Sequence, residues 1–340
     1  MAKVSVGMPV YNGSRFLKDA IASVLNQTLQ DFELIIVDDC SSDGIEDIVR
    51  SFADPRIKFF RNKTHLGLAA NWNRCIELSK GGAIALFHQD DLMLPRNLEK
   101  KALVLEKRPD VGLVYSNIFQ IDAQEGVFNH NPSWDEEAAH EDFIEKGTEF
   151  FKRLILRPCI ICCPSVLARR ECYERLGGFD LRLLFPADLE MWLRISRHYD
   201  VAFLAEPLIK YRWHEGNETK RYANQIEGLK QIHLAKMIAV KRVENRRERK
   251  AFRLFVHGDI AEQALDWACY RRMKFRETRR LLWLAYRLKP SLFFQKNEFF
   301  ILAKLIGERA VFYFMRIKTE AARDVKIILK GKFAWLPKRK

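Results

Sequence analysis

The first 115 residues alternate between short apolar runs and segments whose apolar side chains recur at helical spacing. Five runs have the length and composition of buried strands, and helical patterns separate several of them. The predicted strands are residues 4–10, 32–37, 57–60, 83–87 and 111–115. Strands that are apolar on both faces and alternate with helices are typical of a parallel sheet covered by helices on both sides. The sequence therefore predicts an α/β fold with a mostly parallel sheet.

Polar residues follow three of these strands at the point where each strand ends. Tyr11 and Asn12 follow the first strand, Asp38 and Asp39 the second, and residues 88–91 (HQDD) the fourth. Sheets of this kind bind ligands beyond the carboxyl ends of their strands. Neighbouring carboxylates repel each other unless a cation lies between them, and a divalent cation with oxygen ligands relieves that repulsion. We therefore expect a carboxylate-rich site at this edge, although the same acids could instead cap the following helices.

The sequence lacks the motifs of dinucleotide-binding, P-loop and zinc sites. Only Gly7 and Gly13 lie near the first turn, so no GxGxxG of a dinucleotide site opens a helix, and no Walker A loop is present. Cys159, Cys162 and Cys163 form a CxxCC without a second pair at metal-ligand spacing, which favours buried thiols over a zinc site. The seven cysteines are an odd number, so we expect reduced thiols and a cytoplasmic protein.

The positive charge of the chain lies in its last third. The net charge is +14, but residues 215–340 hold 31 Lys+Arg and 13 Asp+Glu, a net of +18, which leaves −4 for residues 1–214. Beyond about residue 220 the pattern is helical, with dense Arg and Lys. An anionic partner is therefore expected for the C-terminal region rather than for the sheet domain.

The polar motifs, taken in order, resemble those of the family-2 glycosyltransferases, which have the GT-A fold and transfer a sugar from a nucleotide diphosphate with inversion. The matching segments are 6–12 (VGMPVYN), 33–44 (ELIIVDDCSSDG), 88–91 (HQDD), 177–180 (GGFD), 187–194 (ADLEMWLR) and 211–214 (YRWH). The resemblance implies a GT-A nucleotide-diphosphosugar transferase fold, a Rossmann-like sheet flanked by helices, for residues 1–215. A basic α-helical region would follow in residues 216–340.

The resemblance also implies roles for individual residues. Asp39 would hydrogen-bond the base of the nucleotide, and Asp91 and Asp90 would bind Mn²⁺ or Mg²⁺. His88 stands where the family usually has Asp, and imidazole can itself ligate Mn²⁺. His214 would approach the metal or the diphosphate. The nucleotide-sugar contacts that the resemblance implies are Pro9, Val10, Tyr11, Asn12, Asp39, Asn71 and Asp90.

A carboxylate of the segment 187–194 is implied as the general base. Its position in the motif points to Asp188, with Glu190 as the alternative. These two residues are roughly 200° apart around a helix, so they cannot both face one pocket. The family more often has Glu where this chain has Ala187. The departures at positions 88 and 187 leave a second hypothesis, a degenerate GT-A domain that binds nucleotide-sugar or glycan without turnover.

The expected reaction is transfer from a UDP-sugar to a hydroxyl of a glycan or lipid-linked acceptor in surface polysaccharide synthesis. In residues 293–314, aromatic and aliphatic side chains interleave with Lys and Arg, which is typical of an amphipathic segment on an anionic membrane surface. We therefore expect peripheral attachment to the inner face of the cytoplasmic membrane. Trp134, in an irregular stretch, could stack on an acceptor sugar. No motif for nucleic-acid binding is present, so no nucleic-acid partner is expected.

Overall fold

The structure of the protein is a computed structural model. It describes residues 3–130, 140–222, 225–271 and 274–294. Trp134 and nearly all of the predicted membrane-binding segment 293–314 therefore lie outside the described residues. The chain forms two compact units, residues 1–256 and residues 257–340.

The first unit is built on one mixed sheet. Its described strands are β1 (Val4–Val10), β2 (Phe32–Asp38), β3 (Ile57–Arg61), β4 (Ala83–Leu86), β5 (Leu92–Met93), β6 (Val111–Ile121), β7 (Val127–His130), β8 (Phe143–Glu145), β9 (Leu167–Arg169) and β10 (Asp200–Arg212). Their order is β3-β2-β1-β4-β9-β6-β10-β5, with β7 paired to β6 and β8 to β10. The block β3-β2-β1-β4 and the long β6-β10 pair are parallel, and short antiparallel β9 joins them. The prediction of a mostly parallel α/β sheet is confirmed.

Helices cover the sheet and continue beyond it. In chain order they are α1 (Ser14–Leu25), α2 (Ile45–Arg50), α3 (Leu68–Leu78), α4 (Asn97–Lys107), α5 (Gly147–Leu156), α6 (Arg170–Leu176), α7 (Ala187–Ser196), α8 (Glu218–Tyr222), α9 (Ile226–Lys241), α10 (Arg246–Tyr270) and α11 (Phe275–Leu288). Among the described residues, no helix combines the length and the hydropathy that are needed to span a membrane.

Alternate residues of β2 fill two separate cores on the two faces of the sheet. Leu34 and Ile36 pack in one core, together with buried side chains of α1 and α4. Ile35 and Val37 pack in the other core, which includes Trp192 of α7 and residues of α3. All four β2 side chains are fully buried. A strand enclosed in this way needs apolar residues on both faces, which is why its central residues 34–37 do not alternate with polar ones.

Helix α9 belongs to the same compact unit as the sheet. It packs against α7, and its residues Ala235, Ala239 and Val240 are buried in the core that contains Leu189 of α7. The compact unit therefore continues to residue 256. The end of the catalytic domain near residue 215 stays a prediction.

Candidate functional site

The turns that follow β1 and β2 are tied to each other by side chains. Asn12 adopts a left-handed backbone (φ 45°), which Asn tolerates better than most residues. Its backbone N–H donates to Ser41 Oγ at 2.9 Å, and its Oδ1 accepts the Ser42 N–H at 2.9 Å. Val10 accepts the Asp39 N–H at its backbone carbonyl, while its side chain is buried in the core. The ends of the two strands therefore form one rigid rim.

Asp39 organises the loop that follows β3. Its side chain is buried, and Oδ1 accepts hydrogen bonds from Asn62 Nδ2 and the Leu66 N–H, both at 2.8 Å. Oδ2 accepts the Gly67 N–H at 2.8 Å and lies 2.9 Å from Nδ1 of His65. Three N–H donors converge on one carboxylate, with the His65 ring nitrogen beside them, so the carboxylate is held in a single orientation.

Two planar rings and an amide lie beside this carboxylate. The rings of Tyr11 and His65 stack with 4.1 Å between their centroids, and Tyr11 is 45% exposed. Asn62 Nδ2 also donates to Asn71 Oδ1 at 2.9 Å, and Asn71 Nδ2 donates to the Val37 carbonyl at 3.0 Å. The structure thus brings Tyr11, Asn12, Asp39 and Asn71 of the predicted nucleotide contacts to one edge, and leaves the Val10 side chain inside the core.

Gln89 joins this rim to the acidic motif after β4, a role that the sequence analysis missed. Its side-chain amide accepts the Tyr11 N–H at 2.9 Å and donates to the Tyr11 carbonyl at 3.1 Å. A Cβ on Gly13 would meet Gln89 at 2.1 Å. A glycine at this position is thus the one local signal that another side chain lies across the turn.

The acidic motif has the donor atoms of a cation site. One ligand atom each from His88, Asp90 and Asp91 lies within 4.8 Å of the others. Asp91 is fully buried, and its Oδ2 accepts no hydrogen bond from the described residues; the same holds for Nε2 of His88. Burial, together with the Asp90 charge, raises the pKa of Asp91 well above its ordinary value, while burial lowers the pKa of His88. A neutral imidazole and two crowded carboxylates fit a divalent cation.

Arg212 and His214 support the acidic motif from β10 and the turn beyond it. The Arg212 side chain is buried, its Nε donates to the Asp90 carbonyl at 2.8 Å, and its backbone N–H donates to Asp91 Oδ1 at 2.8 Å. The guanidinium also lies over the Phe16 ring at 4.6 Å. His214 Nε2 lies 2.8 Å from Asp90 Oδ2. The motif 211–214 suggested only His214, whereas Arg212 places a permanent positive charge behind the two acids.

Asp188 lies in the first turn of α7. It is half-buried, and burial raises its pKa to about 6, although its carboxylate accepts the Leu189 N–H at 2.8 Å. Burial also raises the pKa of the Cys162 thiol, and the charges of Asp91 and Asp188 raise it further. The half-buried carboxylate has the properties of a base that works near neutral pH.

Glu190 lies in a different environment. It is fully buried, with Oε2 2.5 Å from Nη2 of Arg194 and Oε1 3.2 Å from Nη1 of Arg242. The Arg194 guanidinium also donates to the carbonyls of residues 176, 177 and 178 at 2.7–3.0 Å. The alternative base is thus held in ion pairs that organise the loop before α7.

The residues that match a known family span most of this site. Residues 5–177 match the sequence profile of the family described as "Glycosyl transferase family 2". The chain belongs to this family. An uncharacterized glycosyltransferase of Methanocaldococcus jannaschii is 32% identical over 216 residues, which cover 62% of this chain and 70% of the relative. The putative glycosyltransferase EpsE of Bacillus subtilis is 35% identical over 199 residues, which cover 56% of this chain and 66% of the relative.

The same fold is found in solved structures. S. aureus TarS in complex with UDP-GlcNAc has a TM-score of 0.65 at 14% identity, covering 84% of this glycosyltransferase and 81% of that chain. The mannosyltransferase PcManGT from Pyrobaculum calidifontis, in complex with GDP-Man and Mn²⁺, has a TM-score of 0.54 at 17% identity, covering 89% and 85%. At such identities the likeness concerns the fold alone, and it confirms the predicted GT-A fold.

Proposed function

We propose that this glycosyltransferase is an inverting, metal-dependent enzyme that moves a sugar from a nucleotide diphosphate, UDP, to a hydroxyl group. One observation carries the proposal: His88, Asp90 and Asp91 bring ligand atoms within 4.8 Å of one another, and the fully buried Oδ2 of Asp91 accepts no hydrogen bond among the described residues. The half-buried Asp188 is a separate carboxylate on another element, α7. Inversion needs a base on one side of the sugar and a leaving-group site on the other. The acceptor is a glycan or a lipid-linked glycan, and the product belongs to a surface polysaccharide.

Each part of the reaction has a residue suited to it. Asp188 accepts the proton of the attacking hydroxyl at its carboxylate, and the raised pKa makes it a stronger base than a surface aspartate. Asp90, Asp91 and His88 would hold Mn²⁺ or Mg²⁺, with His214 beside Asp90. The bound cation supplies charge neutralisation of the diphosphate leaving group. Arg212 holds the Asp90 carbonyl and so keeps the acidic motif in place.

The nucleotide would lie along the rim formed by the turns after β1 and β2. A base N–H would reach Asp39 by replacing the contact of the exposed His65 ring to Oδ2, and the exposed Tyr11 ring offers a face for stacking. The UDP-GlcNAc complex of TarS supports a UDP-sugar, while the GDP-Man complex of PcManGT makes a GDP-sugar the alternative donor.

A nucleotide-sugar screen tests this proposal. Thermal unfolding is measured with UDP-, GDP- and dTDP-sugars, each with and without Mn²⁺, and every donor that binds is assayed for hydrolysis and transfer. At about 100-fold excess over Kd, a donor should stabilise the fold by about 2.7 kcal/mol, several degrees in Tm. We expect UDP-sugars to do so only with the cation. UDP binding without turnover of any donor would favour the degenerate, non-catalytic domain instead.

Helix α11 is the described part of the chain that suits a membrane surface. Leu281, Leu282 and Ala285 are buried, whereas Trp283 is 55% exposed and the Arg280 and Arg276 side chains are exposed on the outer side. The Arg287 guanidinium lies 5.2 Å from the Trp283 ring centroid. Trp with Arg on one exposed face is typical of helices that lie in a bilayer interface. We propose that the enzyme is cytoplasmic and attaches peripherally through this region.

Sedimentation with vesicles checks the membrane proposal. The full chain should bind vesicles with about 30% anionic lipid and not neutral vesicles, and binding should weaken with salt because each basic residue contributes about 1 kcal/mol. Trp283→Ala and Arg280→Glu should each lower the bound fraction, whereas Lys18→Glu, an exposed charge reversal on α1, should not. Equal loss in the Lys18 variant, or binding to RNA but not to vesicles, would contradict the proposal.

A further inference from the structure

Helix α9 contacts the loop that leads to the proposed base. The helix lies outside residues 5–177, which the family profile matches. The loop, residues 177–186, ends directly before α7. Gln231 of α9 is buried, and its Oε1 accepts the Leu184 N–H at 2.9 Å. Just before α9, the Tyr222 ring stacks on Phe185 with 5.5 Å between centroids. A backbone N–H in the middle of the loop is therefore satisfied by a residue that is 47 positions away.

An ion-pair relay connects the end of α9 to the start of the same loop. Arg242, which follows α9, contacts Glu190 Oε1 at 3.2 Å, and Arg194 contacts Oε2 at 2.5 Å. Arg194 then donates to the carbonyls of Leu176, Gly177 and Gly178. Glu190 is fully buried, so losing one of its two cations leaves part of a buried charge uncompensated. We name this set, Arg242, Glu190 and Arg194, the relay.

The loop is also fixed on the donor side of the site. Asn73 of α3 accepts the Phe179 N–H at 2.7 Å and donates to the Phe179 carbonyl at 3.0 Å. The Phe179 ring meets Trp72 edge-on at 5.0 Å, and Trp72 stacks on His88 at 5.6 Å. One continuous set of contacts therefore runs from α9 through the loop to the proposed metal motif.

A second segment near the base is also held by α9. The buried Lys236 Nζ donates to the Arg157 carbonyl at 3.0 Å. Arg157 opens the segment 157–163, whose thiols at Cys162 and Cys163 have pKa values raised by burial and further by the Asp188 charge. Ile161 of this segment and Ala187, the neighbour of Asp188, are buried in the same core. The segment and the loop before α7 thus both take a backbone contact from α9.

We propose that Gln231 and Arg242 are positioning residues of the acceptor side: with the relay, they hold the loop 177–186 closed and so fix the orientation and burial of Asp188. This inference rests on the proposed role of Asp188 as the base. Glu190 then acts through Arg194 and the loop backbone, not on the acceptor. It follows that α9 is part of the catalytic unit.

The test compares two neighbouring cations at the end of α9. Lys241 and Arg242 are both exposed, but only Arg242 carries a described contact to Glu190. In Arg242→Gln, amide hydrogen exchange of residues 177–186 should accelerate about tenfold, as expected when one charge-assisted contact is lost. Lys241→Gln should match the unchanged protein. Exchange in β1 and β2 should stay the same in both variants.

A second measurement distinguishes a loss of Asp188 positioning from a general destabilisation of the fold. The pKa of the Asp188 carboxyl, followed by carbon-13 NMR, should fall from about 6 in Arg242→Gln, because an open loop admits water to the carboxylate. Arg242→Lys should restore both measurements. Binding of UDP with Mn²⁺, measured by calorimetry, should stay within about twofold in every variant, because Asn73 still holds the loop at Phe179 next to the donor side.

Gln231→Leu keeps the inference testable if Arg242→Gln unfolds. It removes the acceptor of the Leu184 N–H without disturbing the relay, and should accelerate exchange at residues 183–186. Equal exchange and equal Asp188 titration in Arg242→Gln, Gln231→Leu and Lys241→Gln would overturn the inference. If neither the unchanged protein nor any variant bound UDP with Mn²⁺, the proposed function would fail. The hydrogen-exchange data would still decide whether α9 holds the loop.

Discussion

Asp188→Asn is expected to lower kcat for sugar transfer by about 10²- to 10⁴-fold, the usual contribution of a general base. The amide keeps the size of the side chain and an oxygen that can accept the Leu189 N–H, so the helix start should stay intact. It cannot accept the proton of the acceptor hydroxyl. Donor binding should be unchanged, because the nucleotide rim is formed by the turns after β1 and β2 and not by α7. Single-turnover transfer and calorimetry with UDP and Mn²⁺ measure the two effects separately.

The pH profile identifies the group that acts. Burial raises the pKa of Asp188 to about 6, so the base is deprotonated above that pH and protonated below it. For the unchanged enzyme, kcat/KM should therefore rise with pH through about 6, and the Asp188→Asn variant should lose this dependence. Glu190→Gln should lower kcat by disturbing the loop before α7 but should keep the rise. If Asp188→Asn stayed near full activity while Glu190→Gln abolished transfer, the base would be Glu190.

The fold could be predicted because its strands are enclosed on both faces. A buried parallel strand such as β2 needs apolar side chains on both faces, and this requirement shows as the consecutive apolar residues 34–37. The pattern placed β1 and β2 almost to the residue. It ended β6 too early, since that strand runs on to Ile121. Its extension depends on pairing with β10 on one side and with β9 and β7 on the other, which no local pattern reveals.

The candidate site could be predicted only in part, for a similar reason. Asp39 directly follows β2, and Asp90 and Asp91 come shortly after β4. Their position at one edge of the sheet therefore follows from the order of the strands. Gln89 and Arg212 join segments that are far apart in the sequence, 78 and 122 residues from their partners. Arg242 lies in the region of dense Arg and Lys beyond residue 220, where the pattern does not single it out, yet it contacts a fully buried acid. Such contacts form only when the chain is packed, and they cannot be predicted from composition or local sequence pattern.

Asp91→Asn is expected to abolish cation binding while making the metal-free protein more stable. Asp91 is fully buried beside Asp90, and its Oδ2 takes no hydrogen bond among the described residues. Replacing a crowded, buried carboxylate by a neutral amide removes the repulsion, and Oδ1 can still accept the Arg212 N–H. The free energy of unfolding without metal should therefore rise by about 1 kcal/mol. The affinity for Mn²⁺ should fall at least about 100-fold, because a direct ligand is lost.

The decisive result is a reversal in the order of stabilities. Without metal the Asp91→Asn variant should have the higher Tm, and with Mn²⁺ and UDP the unchanged protein should, because only the unchanged protein gains binding energy. Asp38→Asn is the matched control: Asp38 is also a buried aspartate at a strand end, but it has a cation, Arg61, at 3.2 Å. It should lose stability and keep its response to Mn²⁺. If Asp91→Asn destabilised the metal-free protein and kept the Mn²⁺ response, the acidic motif would be a structural element, and the proposed metal dependence would have to be abandoned.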